Sequence, residues 1–242
     1  MAASLFDMGQ ENLQRGQDAA EVRRLFGGIA PSYDRLNHWL SLNVDRWWRR
    51  RAARELPESG NVLDLCAGTL DLALAARRAH PKLKVVATDF SPEMLRLGRR
   101  KRGAGALHLA VADALCLPHR GAAFAAVTCG FGVRNFADLH RGLVEARRVL
   151  MPGGRLIVLE FFRPRSIGSR WLHQGYVRLL LPLIGRLVSG HSSAYQYLAD
   201  TIGGFLSVEQ FETALRSAGF DATRVIHLPS RVATVVIGEV AR

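Results

Sequence analysis

Hydrophobic and polar positions along this chain change period repeatedly, and the changes mark its elements. From Asn61 to Cys66 the apolar residues run almost unbroken (Val62, Leu63, Leu65), the pattern of a buried strand. An apolar-periodic helix is predicted to follow over 71–80. The alternation then continues: strands are predicted near 83–89, 106–112, 124–130 and 154–161, and helices near 92–103 and 138–150. The second helix carries start chemistry, with Ser91 to cap, Pro92 for the first helical position and Glu93 for the positive end of the dipole. The third is expected to stop at Met151-Pro-Gly-Gly154, a turn before the next strand. Regular βα alternation implies a parallel sheet covered by helices on both faces.

After the fifth strand the rhythm breaks. Residues 165–205 read as an insertion of helical character, and Ser207-Val-Glu-Gln210 has capping-box spacing for a helix to about Ser217. Two apolar runs, Ala222–Leu228 and Val232–Val240, are separated only by Pro229, Ser230 and Arg231. Strands so close are not parallel neighbours, so an antiparallel hairpin is expected to end the sheet. Before the first strand, residues 1–21 are polar and weakly patterned and are expected to be flexible. Residues 22–56 are rich in aromatics and Arg (Phe26, Tyr33, Trp39, Trp47, Trp48) at spacing closer to helix than strand.

Composition narrows this picture. The 242 residues fit one α/β domain, 22–242, with a helical N-terminal extension. Apolar residues at 48% and charged residues at 22% are those of a soluble globular protein. The formal charge of +12, carried almost wholly by Arg, is compatible with nucleic acid or an anionic membrane surface. No basic stripe interleaved with aromatics appears, so no nucleic-acid partner is expected. Three cysteines without CxxC spacing (Cys66, Cys116, Cys129) fit a reducing cytosol and neither a disulfide framework nor a zinc site. Residues 1–17 lack the apolar core of a signal peptide, and a cytoplasmic location is expected. The run Leu179–Gly185, broken by Pro182 and flanked by Arg178 and Arg186, is far short of the roughly 20 residues a membrane span needs.

Candidate chemistry gathers at the predicted carboxyl ends of the strands, where open α/β sheets bind ligands. Asp64 could accept a ligand amine or orient the small-residue turn Cys66-Ala-Gly-Thr69. Thr69 offers a hydroxyl at a helix N-terminus. Asp89, at the end of the second strand, suits a ribose diol, the layout of a nucleotide-binding βαβ unit. Asp113-Ala114 could face an adenine amine, and helix capping explains Asp113 nearly as well. In Gly130-Phe-Gly-Val-Arg-Asn135 a cation and an amide stand side by side: either a turn with a surface Arg, or an oxygen-binding pair in which Arg134 stabilises a developing oxyanion and Asn135 orients it. Hydrolase and metal motifs are absent from the sequence, and no metal is expected.

Several segments together resemble the ubiquinone/menaquinone biosynthesis C-methyltransferases, S-adenosylmethionine-dependent enzymes of the seven-stranded Rossmann-like class. They are Phe26-Gly-Gly-Ile-Ala-Pro-Ser-Tyr-Asp-Arg-Leu-Asn37, Leu63-Asp-Leu-Cys-Ala-Gly-Thr-Leu-Asp71, Asp89-Phe-Ser-Pro-Glu-Met-Leu95 and Asp113-Ala-Leu-Cys-Leu-Pro118. Phe131-Gly-Val-Arg-Asn135, Arg148-Val-Leu-Met-Pro-Gly-Gly154, Leu159-Glu-Phe161 and Tyr195-Gln-Tyr-Leu-Ala-Asp-Thr-Ile202 complete the set. The resemblance implies that Asp64, Gly68 and Thr69 line the methionine end of the cofactor, Asp89 takes the ribose, and Asp113-Ala114 faces the adenine. It implies that Tyr33, Asp34, Asn37, Arg134, Asn135, Tyr195 and Tyr197 surround a prenylated quinol, with Arg134, Asn135, Tyr33 and Asp34 in the catalytic roles. The reaction implied is methylation of a quinol ring carbon, demethylmenaquinol before the ubiquinone precursor.

Three departures stand out. Leu70 replaces the usual Gly, and its side chain is expected to crowd the methionine moiety or shift the turn. Gly130 replaces a small hydroxyl residue, and Asp200-Thr201 replaces Glu-Ser. On the same resemblance, 22–56 becomes a helical lid, and 165–205 becomes either an apolar cover for the isoprenoid tail, touching the inner face of the membrane, or a homodimer interface. The rival readings are a methyltransferase for another small phenol, a cofactor-binding protein with a degenerate site, and, on charge alone, an RNA methyltransferase.

Overall fold

The computed structural model describes residues 34, 38, 41, 43–163, 204–229 and 232–242. Helix α1 (Val44–Ala53) precedes strand β1 (Ser59–Leu65), and α2 (Asp71–Ala79), β2 (Lys82–Asp89) and α3 (Pro92–Gly98) follow. Then come β3 (His108–Val111), β4 (Phe124–Gly130), α4 (Leu139–Val149), β5 (Leu150–Glu160), α5 (Val208–Ser217), β6 (Ala222–His227) and β7 (Thr234–Glu239). The seven strands form one sheet in the order β3-β2-β1-β4-β5-β7-β6. All neighbours pair in parallel except β7, which runs antiparallel to both β5 and β6. The expected terminal hairpin is present, with β7 inserted between β5 and β6.

Strand order reverses between β1 and β4, where successive helices leave for opposite faces and a crevice opens beyond the carboxyl ends. One apolar layer packs Trp48, Ala52 and Ala53 of α1 and Leu72, Ala73 and Ala76 of α2 on Val62, Ala126, Ile157 and Ile237. The other packs Leu143 and Ala146 of α4 and Phe211 and Leu215 of α5 on Leu63, Leu65, Val127, Val158 and Val236. Alternate residues of β1, β4 and β5 thus face opposite layers, as period-two side chains in a doubly covered sheet must.

Two boundaries differ from the sequence expectation by more than two residues. Helix α3 ends at Gly98, not near 103. Its continuation tightens into i→i−3 bonds (Arg100 N–H to Leu97 O, 3.1 Å; Lys101 N–H to Gly98 O, 2.9 Å), and Lys101 turns back to pair with Asp71 at 2.5 Å. Strand β5 begins at Leu150, so Met151–Gly154 is not a turn between elements. Phe124 pairs with Leu150 but Ala126 with Arg155, and the extra residues form a bulge within the strand, with Gly153 at φ +74°. Both capping signals are present as expected: the Ser91 side chain accepts from Met94 N–H, and Ser207 and Gln210 form a reciprocal box.

Candidate active site

The carboxyl ends of β1, β2 and β4 wall a cleft of about 880 Å³, mouth included. Cys66 and Gly68 form one side, Asp89, Phe90 and Met94 a second, and Asp113, Ala114 and Leu115 the far end. Gly130, Phe131, Gly132 and Asn135 close the side nearest β4. The cleft is built on unusual backbone. Cys66 (φ 50°), Gly68 (φ 52°) and Leu70 (φ 73°) all lie in the left-handed region within one turn, and Phe131 (φ 59°) does so at the end of β4. For residues with a Cβ such conformations cost on the order of 1–3 kcal/mol each and persist where tertiary structure imposes them, commonly at functional sites.

Asp89 organises the turn. Its Oδ2 accepts the Gly68 N–H at 2.8 Å and its Oδ1 the Ser91 N–H at 2.8 Å, joining the β1–α2 turn to the start of α3. Burial raises its pKa, and the amides of Ser91, Gly68 and Phe90 oppose that rise. Each carboxylate oxygen retains a lone pair for a ligand diol. Asp113 at the far end is exposed and accepts the Leu115 N–H at 2.9 Å, closing a local turn rather than capping a helix.

Asp64 lies inside, on β1. Its Oδ1 accepts the Thr128 hydroxyl at 2.6 Å, and its Oδ2 is buried with no protein partner. Burial pushes its carboxyl up to about 7, against the downward pull of the Thr128 hydroxyl, the Ala73 amide and the Arg49 charge. A buried acceptor without a donor costs about 1–3 kcal/mol, a deficit that a ligand ammonium would remove. This orphan, with the Asp89 carboxylate and the apolar Phe90, Met94 and Leu115 walls, fits an amino-acid-bearing nucleoside.

Thr69 was expected to serve the ligand directly, but the structure places it elsewhere. Its hydroxyl donates to Asp34 and accepts from Lys101 Nζ at 3.0 Å. Lys101 also pairs with Asp34 at 2.7 Å and Asp71 at 2.5 Å. Asp34 is therefore fastened by two donors, Thr69 before α2 and Lys101 just after α3. Leu70 is likewise corrected. Its side chain is fully buried and lies against Gly98, where an added Cβ would meet Leu70 Cγ at 2.5 Å, and it does not line the cleft. The missing glycine at 70 is matched by one at 98. At Gly130, which does line the cleft, a Cβ would sit 3.1 Å from Leu72 Cδ2, so the smaller residue suits this packing.

Arg134 does not stand in a solvent loop. Its Nη1 pairs with Glu160 Oε1, both side chains are almost wholly buried, and Phe161 N–H donates to the same oxygen at 2.8 Å. Arg134 Nε and Glu160 Oε2 have no protein partner. Burial raises the pKa of Glu160 and the Arg134 charge opposes the rise. Asn135, the next residue, lines the cleft. Tyr33, Asn37, Tyr195 and Tyr197 lie outside the described residues.

Sequence reasoning passed over an aromatic cluster beside the cleft. Phe131 and Phe161 have ring centroids 4.6 Å apart, with Trp48 at 6.3 and 5.8 Å from them. Arg49 lies 5.5 Å over Phe131 and Arg134 lies 5.9 Å over Phe161, so two guanidinium groups flank the rings. Arg49, held by Asp45, also acts on Asp64 through its charge. The tryptophans and arginines of 44–53 were visible as composition. Their convergence on β4 and β5 is a tertiary fact with no local signal.

A model of the ubiE/COQ5 methyltransferase family matches residues 13–239. The chain is 45% identical over 222 residues to the demethylmenaquinone methyltransferase of Deinococcus radiodurans, spanning 90% of this chain and 92% of that one. It is 41% identical over 225 residues to the ubiquinone/menaquinone biosynthesis C-methyltransferase UbiE of Geobacter sulfurreducens, spanning 90% and 88%. Among solved structures, the methyltransferase in complex with the Haloferax volcanii Trm112 activator aligns with a TM-score of 0.67 at 19% identity, over 90% of this chain and 98% of that one. Haemonchus contortus phosphoethanolamine N-methyltransferase 2 in complex with S-adenosyl-L-methionine aligns with a TM-score of 0.58 at 13% identity, over 77% and 50%. At such identities the structural likeness speaks for the fold: the seven-stranded sheet of class I methyltransferases.

Proposed function

Because this chain belongs to the ubiE/COQ5 methyltransferase family, it is an S-adenosyl-L-methionine-dependent methyltransferase of quinone biosynthesis, and we propose that its acceptor is demethylmenaquinol. The observation that carries the acceptor reading is the Trp48–Phe131–Phe161 cluster flanked by Arg49 and Arg134, at the edge of the cofactor cleft. A flat apolar ring with ionisable hydroxyls suits aromatic walls and fixed cations.

The cofactor supplies a methyl group already activated by its sulfonium. The chain's task is to place it and to raise the nucleophilicity of the ring. Asp89 and Asp113-Ala114 hold the nucleoside, Asp64 takes the amino-acid ammonium, and Gly68 allows the close backbone approach. Loss of a proton from a quinol hydroxyl moves electron density to the neighbouring ring carbon. Fixed positive charge from Arg49 and Arg134 favours that phenolate in a site of low dielectric. Asn135 orients the ring, and Tyr33, Asn37, Tyr195 and Tyr197 complete its surroundings in this proposal. Asp34 is tied to Thr69 and Lys101 beside the cofactor turn. Arg134 depends on Glu160 for its position. The bound cofactor would supply its methyl to that ring carbon, with the ring proton lost to solvent. Placing two reactants in register supplies much of the rate.

The isoprenoid tail is assigned to residues 165–205, with Leu179–Leu181 and Leu183 as its apolar contact and peripheral association with the cytoplasmic face of the membrane. Among the described residues no helix is long and apolar enough to cross a membrane. Equal liposome co-sedimentation by the wild type and a Leu179/Leu183 polar variant would remove the membrane proposal. For the acceptor, kcat/KM is to be compared for demethylmenaquinol, the ubiquinone-precursor quinol and a phenol without a prenyl chain. The proposal expects demethylmenaquinol to lead; preference for either of the others would overturn it.

A further inference from the structure

Two of the three cysteines meet at the wall of the cofactor cleft. Leu65 and Cys129 are Cα partners across the parallel β1–β4 pair, and Cys66 follows Leu65 directly. Parallel strands about 4.8 Å apart with about 3.3 Å per residue put the Cys66 and Cys129 Cα atoms roughly 6 Å apart, inside the span a disulfide bridges. Both side chains border the same point beside the Cα of Gly132, and the Cys129 thiol is close enough to act on Cys66. Gly132 makes room for them. A Cβ there would lie 2.5 Å from Cys66 Cβ, 2.8 Å from Cys129 Sγ and 3.1 Å from Cys66 Sγ. Cys66 lines the cleft, Cys129 is fully buried behind it, and Cys116 is exposed in a separate turn.

The methyl acceptor under the reading above is a quinol, and its oxidised form is a two-electron oxidant small enough to enter the same cleft. We propose that Cys66 and Cys129 are a dithiol/disulfide couple oxidised by the quinone form of the acceptor, and that the disulfide weakens cofactor binding. The step balances. Two S–H bonds break and one S–S bond forms, and the two electrons and two protons end on the quinone oxygens, giving one quinol. Cys66 meets the quinone and Cys129 completes the bridge.

The bridge ties the left-handed turn at Cys66–Gly68 to the end of β4, immediately before Phe131–Asn135. It pulls on the backbone that holds the Gly68 N–H to Asp89. The neighbouring Cys129 thiol, then burial, raise the Cys66 pKa, so Cys66 rests as a thiol and its oxidation should quicken as pH rises. The device would silence the enzyme when the acceptor pool is oxidised and holds no nucleophile to methylate.

The inference rests on a quinol acceptor, and the test separates the two claims. Reduced protein is mixed under anaerobic conditions with a short-chain demethylnaphthoquinone, and, in a parallel arm, with hydrogen peroxide. The proposal expects the intact mass to fall by two hydrogens, a Cys66–Cys129 peptide to appear, and one quinol to form per chain. S-adenosylmethionine affinity should fall by about tenfold, the scale of a typical coupling between sites, and return with dithiothreitol. Cys129→Ser, whose side chain does not line the cleft, should methylate pre-reduced quinol yet keep its affinity after quinone treatment. Thiols intact under excess quinone, a quinone adduct in place of the disulfide, oxidation by peroxide alone, or a disulfide that leaves affinity unchanged would each overturn the proposal. Disulfide formation in a protein that does not methylate pre-reduced quinol would instead sink the quinol reading and leave the thiol chemistry standing.

Discussion

Asp64, the residue proposed to take the ligand's ammonium, is buried at a cost to the fold. Its carboxyl binds a proton more tightly in the folded chain, with a pKa raised to about 7, than in the unfolded one. Its contribution to stability is therefore fully present below about pH 4 and is lost as pH rises through 7, by up to roughly 4 kcal/mol. Asp64→Asn is expected to remove that slope, so denaturant titrations at pH 5 and pH 8 should differ less for the variant than for the wild type. The same variant should bind S-adenosylmethionine more weakly, since an amide cannot pair an ammonium. Wild-type binding near pH 7 should release protons, which calorimetry in buffers of different ionisation enthalpy reads directly.

Arg134 and Leu70 illustrate what residue identity alone conveyed. The arginine was legible as a catalytic candidate, but its dependence on Glu160 was not, because the two are brought together only by the sheet. Removing one partner of a buried pair leaves an uncompensated charge worth about 3–5 kcal/mol. Arg134→Ala should thus lose both stability and activity, whereas Arg134→Met with Glu160→Leu should regain stability and remain inactive. If that double variant recovered methyl transfer, the cation would have no role in the reaction. Leu70 looked like a threat to the cofactor because sequence cannot say which way a left-handed residue points. Leu70→Gly should relieve about 1–2 kcal/mol of backbone strain and lose about 2–5 kcal/mol of buried packing against Gly98. A net loss in thermal stability with unchanged cofactor affinity is the expected result.

At the scale of elements, strands and helices with clear apolar period were readable nearly to the residue. β4 is Phe124–Gly130 as predicted, and the Ser91 and Ser207 caps start their helices as expected. The errors fell where tertiary pairing overrides local signals. Pro152-Gly153-Gly154 reads as a turn, yet the β4 and β7 sides hold it in the sheet as a bulge. Arg99–Arg102 extends a helical pattern, yet Lys101 leaves it for Asp71 and Asp34. The adjoining ends of β1 and β4 each turn through a left-handed non-glycine residue, Cys66 and Phe131, and Gly132 fits between them. Gly132→Ala should cost about 1–3 kcal/mol from overpacking and weaken cofactor binding, since the displaced Cys66 carries the turn that contacts Asp89. Unchanged affinity in a folded Gly132→Ala protein would show that the turn tolerates movement.

For the whole molecule, βα alternation followed by two close apolar runs was enough to foresee a parallel sheet with an antiparallel end. The insertion of β7 between β5 and β6 was not readable, because strand order depends on which edge the returning chain finds. The residues proposed to hold the cofactor were legible as candidates because they sit at strand ends in contiguous motifs. The aromatic cluster was not, because Trp48 with Arg49, Phe131 with Arg134, and Phe161 come from three segments spread over more than a hundred residues. The central claim is that this assembly methylates carbon on a reduced quinone ring. The most direct test is an anaerobic reaction with methyl-13C S-adenosylmethionine and demethylmenaquinol, read by 13C NMR of the extracted quinone. A labelled methyl on a ring carbon, formed from the quinol and not from the oxidised quinone, is the expected result. A labelled O-methyl group, equal transfer to the oxidised ring, or no transfer by a protein that binds the cofactor would contradict it.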